Sequence, residues 1–124
     1  MSDALRGVVV CHGALAKALV EAAESISGVT GVLLPVSNSG CDRDSLETRV
    51  AEAVDGRPSV IFVDLASGSC LFAVLKRMRA LAGVKVVTGV NLAMLVDFVF
   101  HRDLAPDAAA ERAAAAGAKA IRIP

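Results

Sequence analysis

Apolar and polar positions along this chain fall into alternating blocks. Short valine-rich runs are each followed by a stretch with helical spacing. Arg6 to Cys11 is a nearly continuous apolar run, read as a buried strand, and Ala14 to Ile26 follows as a helix. Gly28 opens a second strand, Val29 to Val36. Ser37-Asn38-Ser39-Gly40 is a loop by composition. Asp42 to Val54 reads as an amphipathic helix with Leu46, Val50, Ala53 and Val54 on one face. Asp55-Gly56-Arg57-Pro58 is a turn before the strand Ser59 to Val63.

The alternation continues to the end. Asp64 to Gly68 is a loop, and Ser69 to Leu81 a helix with Ser67 or Ser69 as cap. Gly83 ends it, and Val84 to Thr88 is the fourth strand. Asn91 to Phe100 reads as a short apolar helix, with Asn91 as its cap, and His101 to Ala105 as a connection. Pro106 starts an alanine-rich helix that Gly117 should stop, leaving Ala118 to Ile123 as a last short strand. Such alternation predicts an α/β three-layer sandwich around a mostly parallel sheet, as one domain over residues 1–124. The expected strand order is 2-1-3-4, with the short C-terminal strand antiparallel at the edge.

Composition narrows the function. The chain has 13 basic and 13 acidic residues and no Trp or Tyr. It offers neither a basic field nor stacking rings for nucleic acid. Met1 to Gly7 does not resemble an export signal, and no stretch nears the ~18 apolar residues of a spanning helix, so no membrane insertion and a cytoplasmic location are expected. Cys11, Cys41 and Cys70 form no Cys-x-x-Cys pair and read as reduced thiols.

The chemistry concentrates where strands end. His12 follows the first strand and precedes Gly13 at the mouth of a helix. Imidazole there serves as nucleophile, base or ligand, and a helix N-terminus favours anions. An anion and a nucleophile at one point indicate phosphoryl chemistry. Three loops should meet at that edge: His12-Gly13, Asp64 to Ser69, and Thr88-Gly89-Val90-Asn91. With the first and third strands adjacent, Asp64 comes within reach of His12. A carboxylate on one ring nitrogen fixes the tautomer and leaves the other as nucleophile. Gly68 and Ser69 then offer backbone N–H groups to an anion.

Other residues have plainer readings. His101, beside Arg102 and Asp103, reads as solvated surface. Cys11 should point away from His12 and fill the core. Cys70 lies in the first turn of a helix, where a thiolate would be stabilised. A thiol or metal enzyme using Cys70 and His12 is therefore an alternative, although no zinc-type ligand spacing occurs.

Three segments together carry a family resemblance: Val8 to Ala22, Phe62 to Ser69 and Val86 to Asp103. The first is a strand, His-Gly and a helix. The second is a strand followed by Asp, two residues and a serine-glycine-serine turn. The third holds Thr88-Gly89-Val90-Asn91-Leu92-Ala93-Met94-Leu95. In this order they resemble the IIA domain of the mannose-family sugar phosphotransferase system, over nearly the whole chain. The resemblance implies that His12 accepts a phosphoryl group from the histidine phosphocarrier protein and gives it to a IIB domain. It implies Asp64 as the orienting partner, and Gly13, Ser69 and nearby backbone as holders of phosphoryl oxygens. It implies no metal and no cofactor, and a homodimer whose last strand, here Ala118 to Ile123, pairs at an edge or across the dimer.

The chain departs from the family pattern at Ser67-Gly68-Ser69-Cys70, where Gly-Gly-Ser-Pro is usual, at Ala93, where Pro is usual, and at Cys11, where Ser or Thr is common. These departures spare His12 and Asp64 and alter loop stiffness and partner surface. A regulatory module of the same fold, phosphorylated on His12 but controlling a partner without moving sugar, is the second reading. A relay site needs an apolar rim for docking proteins, and Leu65, Ala66, Leu71, Leu92 and Met94 are candidates for it.

Overall fold

The computed structural model describes residues 4–78 and 83–124. Among them the elements are β1 (Arg6–Cys11), α1 (Leu15–Ser27), β2 (Leu33–Ser37), α2 (Arg43–Val54), β3 (Ser59–Val63), α3 (Ser69–Met78), β4 (Val84–Thr88), α4 (Leu92–Val99) and α5 (Pro106–Lys119). The strands pair in the order β2-β1-β3-β4, and every pair is parallel. The expected α/β sandwich and its 2-1-3-4 order are therefore present.

Strand periodicity sorts the core into two layers. Val9, Cys11, Val60 and Phe62 face α1, α4 and α5, while Val8, Val10, Ile61 and Val63 face α2 and α3. β1 and β3 are thus buried on both sides, and each fully buried Val, Ile or Phe contributes about 1.5–3 kcal/mol of transfer free energy. The Phe62 and Phe98 rings meet edge to face at 5.3 Å. β2 forms one edge of the sheet, which is why it tolerates Pro35, opposite Val9.

Two readings are corrected, and a third falls outside the described residues. The second strand begins at Leu33 rather than Val29. Gly31 turns the chain with a φ of 79°, and its N–H donates to Glu24 Oε2, so 29–32 is a connection. Leu81, the expected end of the third helix, lies outside the described residues. The last helix does not stop at Gly117 but runs to Lys119, and Ala118 to Ile123 forms no strand.

Packing explains that last correction. Gly117 is buried where α5 crosses α4, and a Cβ on it would sit 2.6 Å from Met94 Cγ and Cε. Its carbonyl also accepts from Asn91 Nδ2 at 3.1 Å. The glycine serves close approach between helices and not termination. Gly117→Ala adds ~1 kcal/mol of helix propensity, against overpacking of about 1–3 kcal/mol. We expect a net loss of stability in denaturant unfolding; a gain would mean that Met94 gives way freely.

Candidate functional site

β1 and β3 deliver their last residues to the same point. In register, Val10 pairs with Val63, so His12 and Asp64 emerge side by side at the carboxyl edge of the sheet. Asp64 Oδ2 accepts from the His12 backbone N–H at 2.9 Å and lies 2.8 Å from His12 Nδ1. Asp64 Oδ1 accepts from the Leu65 N–H at 3.0 Å. Burial pushes the Asp64 carboxyl up, but the hydrogen bonds from His12, its charge and the Leu65 N–H outweigh it and hold the group below the usual carboxylate range. Asp64 is therefore an ionised, acceptor-only group at neutral pH, so the neutral tautomer that fits this contact has its proton on Nδ1 and its lone pair on Nε2. The Asp64 side chain is 9% exposed and that of His12 is 40% exposed, so the ring is anchored from below and open above.

Gly68 stands over the free side of the ring. Its φ is 95°, and a Cβ there would come 3.8 Å from His12 Cε1 and Nε2. Ser69 opens α3 beside it and is exposed. Gly13 turns the chain after His12 with a φ of 60°, but its N–H is committed to Asn38 Oδ1 at 3.0 Å.

The loop after β2 is a part of the site that the sequence reading passed over. Ser37 Oγ donates to the Gly13 carbonyl at 2.7 Å, and Arg49 Nη1 donates to the Ser37 and Ser39 carbonyls. With β2 beside β1, a polar loop at its carboxyl end was the available signal. The loop after β4, by contrast, gives neither His12 nor Asp64 a hydrogen bond among the described residues. Asn91 caps α4 through Met94 N and bonds Gly117, as its simpler reading held.

One thiol follows expectation and one departs from it. Cys11 fills the core as predicted. Cys70 is buried, with Sγ 3.7 Å from His12 Nδ1. Burial first, and then the Asp64 charge, push its thiol up to about 11, so the helix start does not yield a thiolate. His101 is not simply solvated. It is half-buried, with Nδ1 2.8 Å from the Asp97 carbonyl, at the end of α4. Of the proposed rim, Leu65 and Ala66 are exposed, Leu71 and Leu92 are half-buried, and Met94 belongs to the core. Exposed Phe72 is an apolar neighbour the sequence did not mark; with Arg43, Leu75 and Lys76 it lines a surface cleft between α2 and α3.

Residues 7–116 match the model of the family described as the PTS system fructose IIA component. The chain belongs to that family. It is thus a IIA domain of the phosphotransferase system, of the mannose-type branch that its segments resemble. No curated protein matches the chain. Among solved structures, this IIA domain is similar to the EIIA component from Streptococcus agalactiae, with a TM-score of 0.88 at 18% identity over 96% of each chain. It is similar to the mannose/sorbose specific IIA subunit from Enterococcus faecalis, with a TM-score of 0.86 at 17% identity over 98% of this chain and 95% of that one. It is similar also to the IIA protein associated with the fucose utilization operon of Streptococcus pneumoniae, at 0.78 and 24% identity over 98% and 96%. These likenesses establish the shared fold. No described helix is long and apolar enough to cross a membrane.

The depressed Asp64 carboxyl makes a pH prediction. A carboxyl whose folded value lies below its unfolded one contributes stability that is present above the unfolded value, ~3.9, and lost as pH falls through the folded value. Asp64→Asn keeps an acceptor for His12 but removes the charge. The stability gap between wild type and Asp64→Asn should therefore be largest near neutrality and shrink as pH falls below ~4. Denaturant midpoints measured across that range check it; a constant gap would mean the carboxylate charge contributes nothing.

Proposed function

We propose that His12 is the phosphoryl acceptor of this IIA domain, taking the group on Nε2 from the phosphohistidine of the carrier protein and passing it to a IIB domain. The observation that carries this reading is the 2.8 Å contact between His12 Nδ1 and Asp64 Oδ2. It holds the Nδ1 proton and leaves the Nε2 lone pair facing the open side of the ring. As the new N–P bond forms and the donor's N–P bond breaks, positive charge develops on the His12 ring. The ionised Asp64 stabilises that charge across a partly buried hydrogen bond.

The surroundings suit the transfer. Gly68 puts no side chain of its own beside Nε2, where a Cβ would come within 3.8 Å. The N–H groups of Gly68 and Ser69, at the start of α3, are the proposed holders of phosphoryl oxygens. Gly13 contributes through its turn, which aims His12, and not through its N–H. Leu65, Ala66 and Phe72 give partner proteins an apolar contact, and Arg43 lies 5.6 Å over the Phe72 ring. The 40% exposure of the His12 side chain fits a site that two proteins must reach in succession.

In a mixture of phosphoenolpyruvate, the first enzyme of the system and its histidine phosphocarrier, wild type should gain one acid-labile phosphoryl group by intact mass. His12→Ala should gain none while keeping the circular dichroism of the wild type. A folded wild type that takes up no phosphate from a competent donor would overturn the reading. We also propose a homodimer that covers the tail after α5, where Ile121 is 78% and Ile123 100% exposed. Sedimentation should give a dimer for wild type and a monomer for the Ile121→Asp, Ile123→Asp double variant; a monomeric wild type refutes it.

A further inference from the structure

Cys70 adds a third metal-binding side chain to the phosphorylation site. Ligand atoms of His12, Asp64 and Cys70 all lie within 4.8 Å of one another. They come from three places in the chain: the end of β1, the end of β3 and the first turn of α3. Their convergence is a product of the sheet and not of neighbouring turns of one helix.

The distances suit a small tetrahedral ion. Zinc binds nitrogen at ~2.0–2.1 Å and thiolate sulfur at ~2.3 Å, which sets these two ligands roughly 3.5 Å apart. His12 Nδ1 and Cys70 Sγ are 3.7 Å apart. The hydrogen-bonded pair, His12 Nδ1 and Asp64 Oδ2, is 2.8 Å apart and would open by roughly 0.6 Å to a ligand separation. One imidazole, one thiolate and one carboxylate form a borderline-soft set that favours zinc over magnesium or calcium. Three protein ligands beneath an exposed ring leave the fourth position to water, as in open zinc sites.

We propose that His12 Nδ1, Asp64 and Cys70 Sγ bind a zinc ion, and that the bound ion blocks phosphoryl transfer at His12. On binding, the Nδ1 proton and the Cys70 thiol proton leave to solvent, and the ion takes the place of the proton between His12 and Asp64. The imidazole stays neutral, so its remaining proton sits on Nε2. Nε2 then has no lone pair with which to attack phosphorus. Ion and phosphoryl group thus exclude one another through the two nitrogens of one ring. The blocking half rests on the reading of His12 as phosphoryl acceptor; the binding half does not.

Cobalt(II) tests the binding half with the intact chain and no donor proteins. Titration of wild type should produce a tetrahedral visible band and a near-ultraviolet thiolate-to-cobalt charge-transfer band, both erased by equimolar zinc. Cys70→Ser should lose the charge-transfer band and bind zinc more weakly by more than the ~10–100-fold typical of losing a supporting partner. Cys41→Ser should keep the band and the affinity. Absence of the band in folded wild type, or its survival in Cys70→Ser, overturns the site. For the blocking half, phosphate uptake is compared with and without zinc in each variant. Zinc should suppress uptake in wild type and Cys41→Ser and change it little in Cys70→Ser, whatever the zinc-free level of that variant. Equal suppression in all three would overturn blocking at this site. No uptake without zinc would refute the acceptor reading and the blocking with it, and would leave the cobalt result to stand by itself.

Discussion

One carboxylate oxygen organises this molecule's chemistry. Asp64 Oδ2 accepts from both the backbone N–H and the ring of His12. Fixing main chain and side chain through one atom leaves the imidazole little freedom to rotate. The contact exists only because β1 and β3 are neighbours in one register, Val10 against Val63. A slip of one residue would send Asp64 to the opposite face of the sheet. Such a slip would also turn Phe62 away from Phe98, whose ring it meets edge to face at 5.3 Å. The core therefore acts on the site through register.

Much of this was legible in the sequence, for physical reasons. Runs such as Gly7 to Cys11 and Val60 to Val63 are apolar throughout because both faces of a parallel strand are covered. Their last residues are where polar side chains first become tolerable, so His12 and Asp64 stand out. The C-terminal reading failed because a glycine has two uses. Gly117 looked like a stop, yet its missing side chain makes room for Met94, and that neighbour is invisible along the sequence. Likewise 29–32 is apolar enough for a strand, but the Gly31 turn held by Glu24 delays pairing until Leu33. Asn38 was missed because its role depends on β2 lying next to β1, a tertiary fact that composition does not encode.

Cys70 shows how position and environment compete. A thiol in the first turn of a helix ordinarily gains from the partial positive charge there. Here burial and the negative charge of Asp64 win, and the thiol stays protonated. The same carboxylate that stabilises charge on His12 thus suppresses charge on Cys70. The carboxylate that anchors the His12 ring thus disfavours a covalent thiol mechanism. Three donors nonetheless remain close together, two of them carrying a proton that a cation would displace.

The difference between a phosphoryl relay and a metal site then lies in what occupies one short gap. With a proton between His12 Nδ1 and Asp64, the ring presents a lone pair outward. With a divalent ion in that gap, joined by Cys70, the outward nitrogen must keep its own proton. Imidazole has two nitrogens and, when neutral, one proton, so the state of the inner nitrogen dictates that of the outer one. This coupling needs no movement of the backbone and no second site. It follows from anchoring an imidazole ring by its inner nitrogen, and Cys70 adds the further donor that lets an ion compete for that anchor.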